Sequence, residues 1–174
     1  MLGEAHAHIA YQYFKGFKNW GSLPWISKRL EGGEEPIPRA PFSDMIDSMV
    51  YHLDIASSLL PLQWEDRWEG RFTSVAAKTL KAKILVYAAS PLYNGPTPDY
   101  AAGYEHPEVL GYGNADDQRW TRAANACKEA IDVANAGGHA LYTAAGVEKN
   151  VYELAINLTM EHIIYQRFKP GNSE

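Results

Sequence analysis

Residues 70–95 read GRFTSVAAKTLKAKILVYAASPLYNG, and this stretch decides the fold. Apolar side chains recur at three- and four-residue spacing from Ala77 to Ala88, which is the period of a helix with one buried face. Thr73 is placed to cap the first turn, and Pro91 ends the helix because the residue before a proline disfavours helical backbone. Alanines make this helix slim, so a neighbouring helix can pack closely against it.

Other segments with helical spacing lie on both sides of this stretch. The predicted helices cover residues of about 4–18, 43–60, 74–90 and 119–136. Two long connections, at about 19–42 and 91–118, are rich in proline and glycine, which interrupt regular structure. We therefore predict an all-α fold of tetratricopeptide-like antiparallel helix pairs with two long loop insertions. Residues 1–174 are expected to form a single helical segment.

The ends and faces of these helices follow from the same pattern. Ser43 is the expected cap of the second helix, Asp116 or Asp117 lies at the start of the fourth, and Gly137-Gly138 ends it. The expected buried face of the fourth helix carries Trp120, Ala123, Ala124, Cys127, Ile131 and Ala134. The third helix carries Lys78, Lys81 and Lys83. We expect these lysines to form a solvated face or, as the alternative, a face that docks an acidic partner.

The composition excludes several classes of protein. A net charge of −5 over 174 residues argues against nucleic-acid binding, which requires a basic face. No apolar run approaches the roughly 18–20 residues that cross a bilayer. A single cysteine, Cys127, excludes an internal disulfide and a multi-cysteine zinc site, and its place on an apolar stripe predicts a buried structural thiol.

Two patterns resemble catalytic or metal chemistry and are interpreted as ordinary structure. His6 and His8 point about 200° apart on a helix, so they cannot share a metal ion. A glycosidase needs two carboxyl groups about 5–10 Å apart across a cleft, and sequence neighbours in loops do not establish that separation. The carboxylate pairs concerned are Glu34-Glu35, Glu65-Asp66 and Asp116-Asp117. We predict no catalytic residues, no metal and no cofactor.

The motif order resembles the SusD/RagB family of glycan-capturing outer-membrane lipoproteins of Bacteroidota. The central stretch 70–95 is followed by Trp120 with Ala123-Ala124, and the run closes at 140–142. Upstream, an aromatic first helix and a Trp-Gly exit at Trp20-Gly21 also resemble the family. At the other end, residues 161–164 lie where the family has an Asn/Glu-Ile-Ile strand, and 151–156 are compatible with one helical turn.

The resemblance implies a non-catalytic binding protein at the outward-facing side of the outer membrane. Such a protein captures an oligosaccharide or a starch-like polysaccharide and passes it to a TonB-dependent, SusC-like transporter. The lipid anchor and signal peptide of the family are not found in this chain, so we expect the chain to be a central portion of a longer parent. The alternatives are a tetratricopeptide-type scaffold for protein–protein interaction and, as a third class, a carbohydrate-active enzyme.

Aromatic side chains, 12% of the residues, supply the candidate binding site. Trp and Tyr offer flat apolar faces for sugar rings at low entropic cost, and planar amides can bond the hydroxyls. Half of the Trp and Tyr side chains lie in predicted loops, where they either form a binding surface or fold back over the helices. The candidate glycan-binding residues are Trp64, Trp68, Tyr93, Asn94, Tyr100, Tyr104 and Tyr112.

Overall fold

The computed structural model describes residues 1–33 and 36–139. The four helices of this part are α1 (Leu2–Trp20), α2 (Phe42–Leu59), α3 (Ser74–Ala89) and α4 (Asp117–Ala136), and the described residues form no strand. Each helix packs mainly against the next in sequence, so α2 lies between α1 and α3, and α4 packs on α3. The all-α, tetratricopeptide-like fold class is confirmed.

Three predictions fall on residues beyond this part of the chain. The helical turn at 151–156, the strand-like segment at 161–164 and the closing motif at 140–142 all lie outside the described residues. The single helical segment over 1–174 therefore stays a prediction.

The helix caps follow local hydrogen bonding. Thr73 Oγ1 accepts a bond from the amide of Ala76 at 3.1 Å, and the Asp116 side chain caps α4 by accepting from the amide of Gln118. The expected cap at Ser43 is wrong. Its hydroxyl donates to the neighbouring Asp44 carboxylate, and α2 begins one residue earlier at Phe42, behind a proline.

α2 supplies most of the centre of the core because it is covered on both sides. Its apolar face is buried from Phe42 to Ala56, and α1 and α3 add aromatic and aliphatic side chains from either side. The large side chains that are almost fully buried include Phe17, Phe42, Met45, Ile46, Met49, Leu53 and Ile84. Burying each of these contributes roughly 1.5–3 kcal/mol.

The buried face predicted for α4 is partly wrong. Ala123, Ala126 and Ala130 face the core, whereas Trp120 and Ile131 remain 45% and 60% exposed and Ala124 is exposed as well. Small apolar residues occur on both sides of this helix, so the period alone does not choose between them. Cys127 is half-buried against the core.

The solvated lysine face predicted for α3 is also wrong for two of its three residues. Lys78 and Lys81 bond Asp54 of α2 at 3.2 and 2.8 Å, and Lys78 also bonds Glu129 of α4 at 3.1 Å. Partial burial opposes ionisation of Asp54, but the bonds and charges of the two lysines outweigh it and lower its pKa. Lys83 alone faces solvent.

Within the described residues, no helix combines the length and apolar character needed to cross a membrane.

Candidate functional site

The long loop between α3 and α4 is fastened at both ends by one side chain. The Asn94 amide donates to the Asp116 carbonyl at 3.0 Å, and its oxygen accepts from the Asp116 amide and from Arg119 at 2.9 and 2.7 Å. The Tyr112 amide donates to the Tyr93 carbonyl at 3.0 Å. Both polar atoms of Asn94 are therefore engaged, and the residue positions the loop.

Two of the candidate tyrosines turn inward from this loop. Tyr93 stacks on Phe42 with ring centroids 4.7 Å apart and lies 5.2 Å from Phe17, and burial raises its pKa to about 12. Tyr112 meets Phe42 edge-on at 4.7 Å, with the Arg119 guanidinium 3.7 Å from its ring. Burial also raises the pKa of Tyr112. These rings anchor the loop to the core.

The other two tyrosines of the loop face solvent. Tyr100 lies in a short 3-10 turn, Asp99–Ala101, and is 84% exposed, while Tyr104 is 51% exposed. They line an open cleft of about 430 Å³ with Gly103 and Leu110. Clefts of roughly 300–1,000 Å³ with aromatic walls and a few polar groups are typical of small-ligand sites.

The candidate tryptophans contact a cation. The guanidinium of Arg71 lies 4.2 Å from the Trp64 ring and 4.9 Å from the Trp68 ring, and it forms a bidentate ion pair with Glu4 of α1. That bond holds the pKa of the Glu4 carboxyl at about 2. Trp64 is further fixed by a 2.8 Å bond from its indole nitrogen to the Phe72 carbonyl.

The structure therefore divides the seven candidates. Tyr100 and Tyr104 share an open cleft, Trp68 is 44% exposed elsewhere, and Trp64, Tyr93, Asn94 and Tyr112 hold loops in place. Arg119, which was not among the predicted site residues, bonds Asn94 and Asn114 and covers Tyr112. Its place in the first turn of a helix after a tyrosine-rich loop gives no distinctive signal.

Several of the polar residues considered for metal or acid–base chemistry make structural contacts. Within residues 1–33 and 36–139, no group of three or more His, Cys, Asp and Glu side chains could hold a metal ion. Glu65 pairs with Arg67 and Asp116 caps α4, while the pair at 34–35 lies outside the described residues. His8 packs against Phe72 with ring centroids 4.9 Å apart.

Comparison with solved structures supports the architecture. Two structures of the protein BT4246, one of them its selenomethionine form, match with a TM-score of 0.67 each. The selenomethionine form is 32% identical over 82% of this chain, and the other is 29% identical over 97%. A SusD-like protein, BF3747 from Bacteroides fragilis NCTC 9343, is 23% identical over 75% of the chain, with a TM-score of 0.54.

The matched regions are a minor part of those proteins. The chain spans 24% and 28% of the two BT4246 chains and 20% of the SusD-like protein. No family model matches the sequence, and no curated protein matches it. The chain thus carries a portion of a SusD-like fold.

Proposed function

We propose that this chain belongs to a non-catalytic glycan-binding protein of the SusD type. The observation that carries the proposal is the cleft between Tyr100 and Tyr104, because two exposed aromatic rings on a fastened loop suit the apolar face of a sugar. The SusD-like fold, shared with longer solved proteins, gives the context in which such a loop acts.

The proposal includes a place and a partner for the full-length parent. A lipid anchor outside this chain would hold the parent at the outward face of the outer membrane, and a TonB-dependent, SusC-like transporter would receive the captured oligosaccharide or starch-like polysaccharide. The helical stack would serve this assembly as a rigid support, because each helix packs on the next in sequence.

Titration calorimetry with a panel of oligosaccharides tests the binding step. We expect Tyr100→Ala and Tyr104→Ala each to weaken binding about fivefold, since removing one aromatic contact costs on the order of 1 kcal/mol. Trp120→Ala is the control, because Trp120 is an aromatic side chain 45% exposed on α4 and does not line the cleft. Unchanged affinity in both loop variants would contradict the proposal.

The rival scaffold function fits the structure less well. A groove of about 360 Å³ between α2 and α4 could accept a peptide. Binding of a peptide carboxylate there would need Lys or Arg side chains that are free to pair with it. In this groove Lys81 is bonded to Asp54, and Arg122 is bonded to Asp47 at 2.7 Å. Those cations already hold carboxylates of the chain itself.

A further inference from the structure

A second cleft lies on the helix pair α1–α2, where these two helices meet the loop that joins them. The cleft of Tyr100 lies in the loop between α3 and α4. The second cleft has a volume of about 450 Å³ and shares no lining residue with the cleft of Tyr100. Trp25 and the aliphatic side chains of Ile9 and Ile26 form its apolar part. A pocket of this size with a tryptophan wall has the general character of a ligand site.

The tryptophan wall is held in place before any ligand arrives. The ring centroids of Trp25 and Tyr13 lie 4.1 Å apart, and the Tyr13 hydroxyl bonds the loop on both sides of Trp25. It donates to the Pro24 carbonyl at 3.1 Å and accepts from the Ile26 amide at 2.9 Å. A preorganised wall loses little entropy on binding, which favours affinity.

The polar groups of the cleft carry no fixed charge. They are the side chains of His8, Gln12, Tyr13, Ser27 and His52, and no Lys, Arg, Asp or Glu is among the described lining residues. Burial, with the nearby His6 ring as a second cause, lowers the pKa of His52 and keeps its imidazole neutral at pH 7. A charged ligand would lose hydration here without gaining a countercharge.

We propose that this cleft is a second sugar-binding site, which takes a neutral hexose or pentose ring of an oligosaccharide. The ring places its apolar CH face on Trp25, while Gln12 and His52 bond its hydroxyls. This inference rests on the proposed glycan-binding function and adds a site on a different helix pair. An oligosaccharide held at two separate sites on one chain gains avidity, provided that it is long enough to reach both.

The test uses the whole 174-residue chain labelled with 5-fluorotryptophan. Its five tryptophans give five fluorine resonances, and loss of one signal in Trp25→Phe assigns the resonance of interest. The chain is titrated with maltoheptaose, xylohexaose and mannohexaose as neutral probes and with an oligogalacturonate as the acidic probe. We expect a neutral probe to shift the Trp25 resonance, and the oligogalacturonate to leave it in place.

Trp120 serves as the internal control, because its exposed indole on α4 lines neither cleft. A second variant, Gln12→Ala, changes an exposed side chain that supports no hydrogen bond within the fold shown here, and we expect it to weaken the Trp25 response about threefold. Thermal melting confirms that both variants remain folded.

The outcomes separate this inference from the proposed function. If a probe binds through Tyr100 while the Trp25 resonance stays unmoved at saturation, the second site is excluded and the glycan-binding function stands. If no probe produces heat or a shift at any residue, both proposals fail. A Trp25 shift of equal size with the oligogalacturonate would overturn the neutral-sugar assignment.

Discussion

Burial and a neighbouring histidine together set the protonation behaviour of His52. Its Nδ1 lies 2.9 Å from Nδ1 of His6, so the two imidazoles share one proton as donor and acceptor. The other rings that contact His52 belong to Trp25 and Tyr51, and neither carries a negative charge that would stabilise a protonated imidazole. Burial and the charge of His6 therefore lower the pKa of His52 from 6.5.

The lowered pKa of His52 makes the folded chain less stable at acidic pH. Below pH 6.5 the unfolded chain binds a proton at His52 that the folded chain does not, so the free energy of unfolding falls as pH falls and levels off below the folded pKa. We expect urea midpoints to decline from pH 7.5 to 5.5, and His52→Gln to reduce that decline. His8→Ala is the control that should keep it. The same decline in His52→Gln would contradict the role of His52.

The direction of each loop aromatic could not be predicted from sequence. Tyr93 and Tyr104 belong to the same tyrosine-rich loop, yet Tyr93 stacks on Phe42 and Tyr104 is half exposed. A loop has no repeat that assigns alternate residues to the inside, unlike a helix or strand. The aromatic loop could therefore be predicted as a candidate site, but the rings that face outward could not.

At the scale of elements, the loop of residues 91–118 depends on Asn94. Asn94→Ala removes three hydrogen bonds to the α4 end of the loop, and we expect it to lower the free energy of unfolding by about 1–3 kcal/mol. Because the loop carries Tyr100, glycan affinity should fall too, although Asn94 does not line the Tyr100 cleft.

Asn94→Asp is the informative companion variant. A carboxylate still accepts from the Asp116 amide and Arg119 but cannot donate to the Asp116 carbonyl, so we expect an intermediate effect on both measurements. Chemical denaturation and titration calorimetry with the panel of oligosaccharides provide the two readouts. Full glycan affinity in a destabilised Asn94→Ala chain would show that the loop does not need this fastening.

Helices whose ends carry strong local signals were the most predictable elements. α3 has Thr73 as cap and ends just before Ser90-Pro91, so chain-local chemistry determines both ends. α4 is different, because alanines occur on two faces and only the packing against α3 decides which one is buried. The lysines of α3 were misplaced for a related reason. Their partners Asp54 and Glu129 are distant in sequence.

For the molecule as a whole, a cluster of aromatic rings joins the helical stack to the loop that carries the candidate site. Its members are Phe14, Phe17, Phe42, Tyr87 and Tyr93. Phe17 of α1 lies 5.5 Å from Phe42, 5.7 Å from Tyr87 and 5.2 Å from Tyr93 by ring centroids. Phe14, one turn earlier, contacts Phe17 and Tyr87 within this cluster. Stability of the stack and order of the loop should therefore be coupled through Phe17.

Two equally buried phenylalanines allow a matched test of this coupling. Phe17→Ala and Phe14→Ala should each lower the free energy of unfolding by about 3–5 kcal/mol, since both side chains are almost fully buried. Only Phe17→Ala removes a ring beside Tyr93, so only it should speed hydrogen exchange at the Tyr112 amide beyond the global loss of stability. Equal exchange at that amide in the two variants would mean that the loop is ordered independently of α1.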